Sequence, residues 1–335
     1  MRTSRMPHDA AALRVAYAEC ERLVRAHYEN FPVASWLVPA RLRPHVAALY
    51  AFARTADDFA DEGRRPDAER LRLLDDWQNR LHACVTECAP DDRVFVALGA
   101  TIRACHLPMS LFDDLLSAFR QDITTHRYDT WGDLLHYCSR SANPVGRLVL
   151  RIAGHDDARL DRSSDALCTA LQLTNFWQDL ERDWQKGRLY APLDDVDAEG
   201  ARMQDLDERR LTEPWQRVLR RVAARTRLSF DAGRDVCDGV RGRLRHELRF
   251  TWLGGTRILD RLDRVGYDVF TCRPALGVRD VPSLVLGALS WDIRRERGGA
   301  TRPPALRDAS GRPERESRGR SEAAKSGAGG TATKP

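Results

Sequence analysis

Tyr50-Ala-Phe-Ala-Arg54-Thr-Ala-Asp57-Asp58-Phe-Ala-Asp61-Glu62 reads as a helix that carries Asp57 and Asp61 four residues apart. Side chains so spaced share a helix face, with Cβ atoms roughly 6 Å apart, and like charges there repel. Gln172-Leu-Thr-Asn175-Phe-Trp-Gln-Asp179-Leu-Glu-Arg-Asp183 repeats the device. Asn175, Asp179 and Asp183 fall at i, i+4 and i+8, one straight stripe with Gln172 beside it. Two such pairs, far apart in the chain, predict two helices facing one divalent-metal site. Carboxylate oxygens are hard ligands suited to Mg²⁺, which also takes substrate phosphate oxygens. On this reading the metal set is Asp57, Asp58, Asp61, Asp179 and Asp183.

Working outward, apolar residues recur at helical spacing in 9–27, 44–62, 67–88, 92–105, 109–125, 131–152, 162–185, 207–239 and 243–266. Pro, Gly and Asp fall between these stretches, and no alternating Val/Ile/Thr run of strand type occurs. Residues 186–206 read as a loop. Residues 281–293 are apolar but too short to span a bilayer, and read as a last core helix or a peripheral membrane contact. The expectation is an all-α fold: a flexible N-terminus over 1–8, one domain over 9–293, and a disordered basic tail over 294–335.

The chain has 335 residues, 42% hydrophobic and 31% charged, with a net charge of +5. From Arg294 to Pro335 there are 11 Lys and Arg against 5 Asp and Glu, so the body of the chain is close to −1. Basicity confined to a tail argues against nucleic acid, which wants a basic stripe on a structured face. The eight cysteines contain no Cys-x-x-Cys pair and read as reduced thiols. The N-terminus lacks an apolar signal core, which points to the cytoplasm.

Around the aspartates lie cations. Arg54 sits one turn before Asp57 and can neutralise it or grip a phosphate. Lys186, Gly187, Arg188 and Tyr190 follow Asp183. Carboxylates for metal beside cations for phosphate are the equipment for ionising a diphosphate ester. The carbocation left behind needs aromatic faces, and Phe31, Tyr50, Phe52, Tyr137 and Trp177 are candidates. A di-iron bundle would need Glu-x-x-His motifs, and none is found. There is no Gly-rich phosphate loop.

The two motifs in their context resemble the squalene/phytoene synthase family over roughly residues 13–290. Gly266-Tyr267-Asp268-Val269-Phe270 resembles that family's closing segment. The resemblance implies an isoprenoid-synthase fold, two or three Mg²⁺ on Asp57, Asp61, Asp179 and Asp183, and diphosphate on Arg54, Lys186, Arg188 and Arg257. His27, Phe31, Tyr50, Gln172, Asn175 and Tyr190 complete the expected substrate contacts. Glu29 and Gln178 stand where relatives that condense two prenyl diphosphates carry phosphate-binding or basic residues, which weakens a second diphosphate site. Glu29-Asn-Phe-Pro-Val-Ala-Ser35 and Ala142-Asn-Pro-Val-Gly146 resemble the branch of bacterial hopanoid biosynthesis that forms hydroxysqualene.

That branch implies presqualene diphosphate as substrate, or farnesyl diphosphate if the chain performs the condensation itself. It implies water as the quenching nucleophile, no requirement for NADPH, and a presqualene diphosphate synthase as a partner. Pro144 is expected to bend its helix, with Asn143 and Tyr137 positioning the water. The rival classes are a squalene or phytoene synthase, a non-catalytic assembly factor, against which the four retained aspartates argue, and a protein that acts through its basic tail.

Overall fold

The computed structural model describes residues 10–26, 38–63, 65–86 and 92–291. The expectations for His27, Glu29, Phe31, the N-terminus and the basic tail lie outside these residues. Among the described residues the fold is all-α, with no strand. The chain divides into one unit, Met1–Leu289, and a second, Ser290–Pro335. Everything that follows concerns the first.

The helices run α1 Ala10–Ala26, α2 Arg43–Asp61, α3 Asp67–Ala83, α4 Arg93–Cys105, α5 Met109–Thr124, α6 Trp131–Ser141 and α7 Asn143–Ile152. They continue as α8 Ala158–Gln178, α9 Leu180–Gln185, α10 Leu193–Glu199, α11 Met203–Asp207, α12 Glu213–Gly239, α13 Gly242–Arg264 and α14 Val281–Leu289. Local chemistry sets many of the starts. Thr130 and Asp133 form a capping box on α6, and Asp157 accepts from the amides of Arg159 and Leu160 at the start of α8. Each satisfies amides that the first turn leaves open.

Helices α2 to α5 bury Phe52, Trp77, Phe95 and Phe112 against one another. Phe52 stacks on Trp77 with centroids 5.9 Å apart, and the Trp77 indole donates to the Phe52 carbonyl at 3.3 Å. Phe52 is therefore core, and the expectation that it lines a substrate pocket is corrected. On the other side α8 packs on α12 so closely that a Cβ at Gly233 would lie 2.6 Å from the Leu167 amide nitrogen. Only glycine permits that approach. Trp177 is 1% exposed, and its indole donates to Thr226 at 2.9 Å; it too is core.

Between these halves lies a cavity of about 700 Å³, whose walls come from α1, α2, α7, α8 and α13. That size falls among ligand cavities of about 300–1,000 Å³. Val46, Val149, Leu167 and Leu248 typify its surface, and Tyr50 stands on its wall.

The structure differs from the sequence reading in four places. Residues 186–206 hold α10 and α11 instead of a loop. Pro192 before α10 and Gly200 after it, in the left-handed region at φ 66°, are the start and stop signals. Residues 131–152 form two helices broken at Ala142, with Pro144 in the first turn of α7, where its missing amide proton leaves no helical bond unmade. The stripe from Gln172 to Asp183 is not straight, because the helix breaks at Asp179, with φ −103° and ψ 12°. Residues 207–239 are interrupted by a turn before Glu213.

Helix α14 buries Leu284, Gly287 and Ala288, yet Leu286 is 67% and Leu289 73% exposed. It is a core helix on one face and an apolar surface on the other. No helix among the described residues is long and apolar enough to cross a membrane.

Candidate active site

Asp57 and Asp61 lie in the last turns of α2; Asp179 caps the short α9 and Asp183 lies within it. The backbone joins the second pair, since the Asp183 amide donates to the Asp179 carbonyl at 2.9 Å. Gly187 then takes φ 80°, and the Arg188 amide returns to the Asp183 carbonyl at 2.7 Å. This left-handed turn reverses the chain. It sends the Arg188 side chain across to α2, where Nη2 donates to Asp61 Oδ1 at 2.6 Å. Lys186 Nζ lies 3.3 Å from Asp61 Oδ2.

Asp57, Asp58 and Asp179 also meet cations. Arg54 donates to Asp57 at 3.1 Å and to Glu62 at 2.8 Å, and lies 2.7 Å from Asp58. Arg273 grips Asp179 with two contacts, 2.6 and 2.9 Å. Gln178, expected to mark a lost diphosphate contact, is buried and donates to the Pro274 carbonyl. It anchors the segment that carries Arg273. A cation from a distant loop thus stands beside the position where the sequence lacks one.

The four carboxylates sense one another. Burial raises Asp57 to about 6, and the neighbouring Asp61 adds to it. Burial raises Asp183 to about 7, with Asp179 and, from across the helices, Asp61 adding. For Asp61 burial acts upward too, but Arg188 and Lys186 outweigh it and the net shift is downward. Among the described residues no three His, Cys, Asp or Glu side chains are arranged to hold a metal ion as they stand. Lys186, Arg188 and Arg273 occupy the oxygens. The donor chemistry nevertheless suits a hard divalent cation: Asp61 acts on Asp183 from the facing helix, and burial, with like-charged neighbours adding to it, pushes Asp57 and Asp183 toward protonation.

Beside the aspartates stands an aromatic wall. The Phe176 and Tyr190 rings stack at 3.7 Å between centroids, Tyr137 lies 6.2 Å from each, and Tyr128 completes the group. The Tyr137 hydroxyl interacts with the Asp122 carboxyl, which is 8% exposed. Burial raises Asp122 to about 7, and Asp61 and Asp57 add to it. Its Oδ1 has no hydrogen-bond partner among the described residues, and its backbone carbonyl accepts from Arg188 at 3.2 Å.

Of the residues expected from the sequence, the structure brings together Arg54, Asp57, Asp58, Asp61, Tyr137, Asp179, Asp183, Lys186, Arg188 and Tyr190. Tyr50 belongs to the cavity wall, one turn before Arg54. Asn175 is exposed and Gln172 half-buried on the last turns of α8. Asn143 Oδ1 accepts from Thr169 at 2.9 Å, a bond between α7 and α8. Arg257 donates to Ser283 at 2.7 Å, with Asp280 at 3.5 Å. Asp122, Tyr128, Phe176 and Arg273 were missed. Arg273 follows closely on Gly266-Tyr267-Asp268-Val269-Phe270, which was the available signal.

A family model described as squalene/phytoene synthase matches residues 24–280. The hydroxysqualene synthase of Rhodopseudomonas palustris is 36% identical over 214 residues, covering 64% of this chain and 72% of that protein. The hydroxysqualene synthase of Zymomonas mobilis is 38% identical over 203 residues, covering 59% and 66%. Among solved structures, that of squalene synthase HpnC from Alicyclobacillus acidocaldarius is 42% identical, with a TM-score of 0.73 over 78% of this chain and 97% of that one.

Proposed function

The chain belongs to the squalene/phytoene synthase family, and from that premise we propose that it ionises presqualene diphosphate and lets water capture the rearranged cation, giving hydroxysqualene. One observation carries the reading. Two aspartate pairs on facing helices are each clasped by cations, beside an apolar cavity and a wall of stacked rings. The hydroxysqualene synthases among the relatives support the choice of product.

The ion pairs are the resting form of a partner exchange. Arg188, Lys186 and Arg273 leave their carboxylates for the diphosphate oxygens, which Arg binds in a fork. Asp57, Asp61, Asp179 and Asp183 would then be free to hold Mg²⁺, which would neutralise the developing charge of the leaving group. The carbon–oxygen bond breaks with its electron pair going to diphosphate. Tyr137, Phe176 and Tyr190 present ring faces to the cation, and the cavity encloses the prenyl chains away from bulk water. A water oxygen then bonds to the cationic carbon, and no reductant enters the balance.

A presqualene diphosphate synthase supplies the substrate on this reading. The exposed Leu286 and Leu289 support a peripheral membrane contact through which an apolar product leaves. The test is incubation of the purified chain with presqualene diphosphate, with Mg²⁺ or a chelator and with or without NADPH. A C30 alcohol that needs Mg²⁺ and ignores NADPH supports the proposal. Squalene formed only with NADPH, or product only from farnesyl diphosphate, overturns it.

A further inference from the structure

The cavity contains a polar group for which the ionisation chemistry has no use. Glu247 lines the wall with Leu244, Leu248 and Thr251 on α13. It is 8% exposed, and its Oε2 has no hydrogen-bond partner among the described residues. Burial alone raises the carboxyl to about 8. Elsewhere on the wall Ser164 and Cys168 interact with each other.

An unpartnered carboxyl in an apolar wall is unfavourable for the fold, and a leucine, as at 244 and 248, would fill the position without that cost. In its neutral form the group offers one O–H donor and acceptor lone pairs. Such a group suits a ligand that brings an oxygen into hydrocarbon surroundings. Asn143, the residue expected from the sequence to position water, already has its carbonyl oxygen engaged by Thr169.

We propose that Glu247 binds a hydroxyl oxygen inside the prenyl cavity, first the water that captures the cation and then the alcohol that results. The proposal rests on the hydroxysqualene reading above. In the capture step a lone pair of the water oxygen forms the bond to the cationic carbon. One proton leaves that oxygen and ends on the released diphosphate. Glu247 holds the oxygen in place and is unchanged at the end.

The test compares full-length wild type, Glu247→Leu and Glu247→Gln on presqualene diphosphate, with diphosphate release and product composition measured separately. Glu247→Leu should keep diphosphate release near the wild-type rate. It should lower the ratio of alcohol to eliminated hydrocarbon about tenfold, the worth of one hydrogen bond. Glu247→Gln retains a donor and an acceptor and should keep the alcohol. A second measurement needs no turnover: thermal stabilisation by the C15 alcohol farnesol against the C15 hydrocarbon farnesene. The wild type should favour farnesol and Glu247→Leu should not. An unchanged alcohol ratio in Glu247→Leu, or the same farnesol preference in both proteins, overturns the proposal. If the wild type releases no diphosphate, the functional reading fails, and the farnesol comparison still decides the role of Glu247.

Discussion

Arg188 Nη2 lies 2.6 Å from Asp61 Oδ1, 127 positions away in the chain, and this contact joins the two aspartate motifs. The same nitrogen donates to the Asp122 carbonyl at 3.2 Å. One guanidinium therefore sets the distance between the carboxylate helices and borders the aromatic wall. Arg188→Lys keeps the charge but cannot reproduce the fork. The expected outcome is a folded protein whose diphosphate release falls by at least about tenfold, the scale of one lost charge-assisted hydrogen bond. Steady-state release assays with a melting curve on the same sample check it.

Tyr137 and Asp122 act as a pair. The hydroxyl interacts with a carboxyl whose Oδ1 has no hydrogen-bond partner among the described residues. Tyr137→Phe and Asp122→Asn should each slow diphosphate release, and the double variant should be little slower than the worse single one. Coupled residues in contact depart from additivity by about 0.5–3 kcal/mol. A double-mutant cycle on the release rate is the measurement; fully additive losses would separate the two residues.

Gly233 should tolerate no side chain. The Cβ of Gly233→Ala would meet the Leu167 backbone at 2.6 and 2.7 Å, and backbone cannot rotate away. Helices α8 and α12 would have to part, which lowers stability by about 2–3 kcal/mol. Since α8 leads into Asp179, activity should fall with the fold. Denaturant unfolding of the variant checks the size of the loss.

The stability of the chain should carry a pH slope that originates at Glu247. Its carboxyl rises from 4.5 to about 8 through burial, and the charged residues on the cavity wall, Glu21, Arg25 and Arg43, do not contribute. Between these values the folded state keeps a proton that the unfolded state has released. The contribution is fully present below the unfolded value and is lost as pH rises through the folded one. The wild type should therefore lose melting temperature relative to Glu247→Gln by several degrees between about pH 5 and about pH 8.5. Parallel melting curves for the two proteins across that range would contradict this origin.

The parts of the site legible in the sequence were those set by local spacing. Asp57 with Asp61, and Asp179 with Asp183, are four apart, and Arg188 follows within a few residues. What depended on distant chain was not legible. Arg273 reaches Asp179 across 94 positions only because the chain turns back after α13, where Gln178 holds Pro274. Asp122 shows its chemistry only through Tyr137 and the Arg188 that crosses to it. The break at Asp179 carries no Pro or Gly to announce it. The partners of Arg257 were hidden for a related reason, since Asp280 and Ser283 lie beyond the helix that carries it. The helices themselves were legible from periodicity, and the short α10 and α11 were passed over although Pro192 and Gly200 bound the first of them.

The central claim, that water captures a cation released at the aspartate site, is tested most directly by turnover of presqualene diphosphate in oxygen-18 water with Mg²⁺ and no NADPH. The account predicts a C30 alcohol that carries one labelled oxygen, with diphosphate released in equal amount. An unlabelled alcohol, or a hydrocarbon product that appears only when NADPH is supplied, would contradict it.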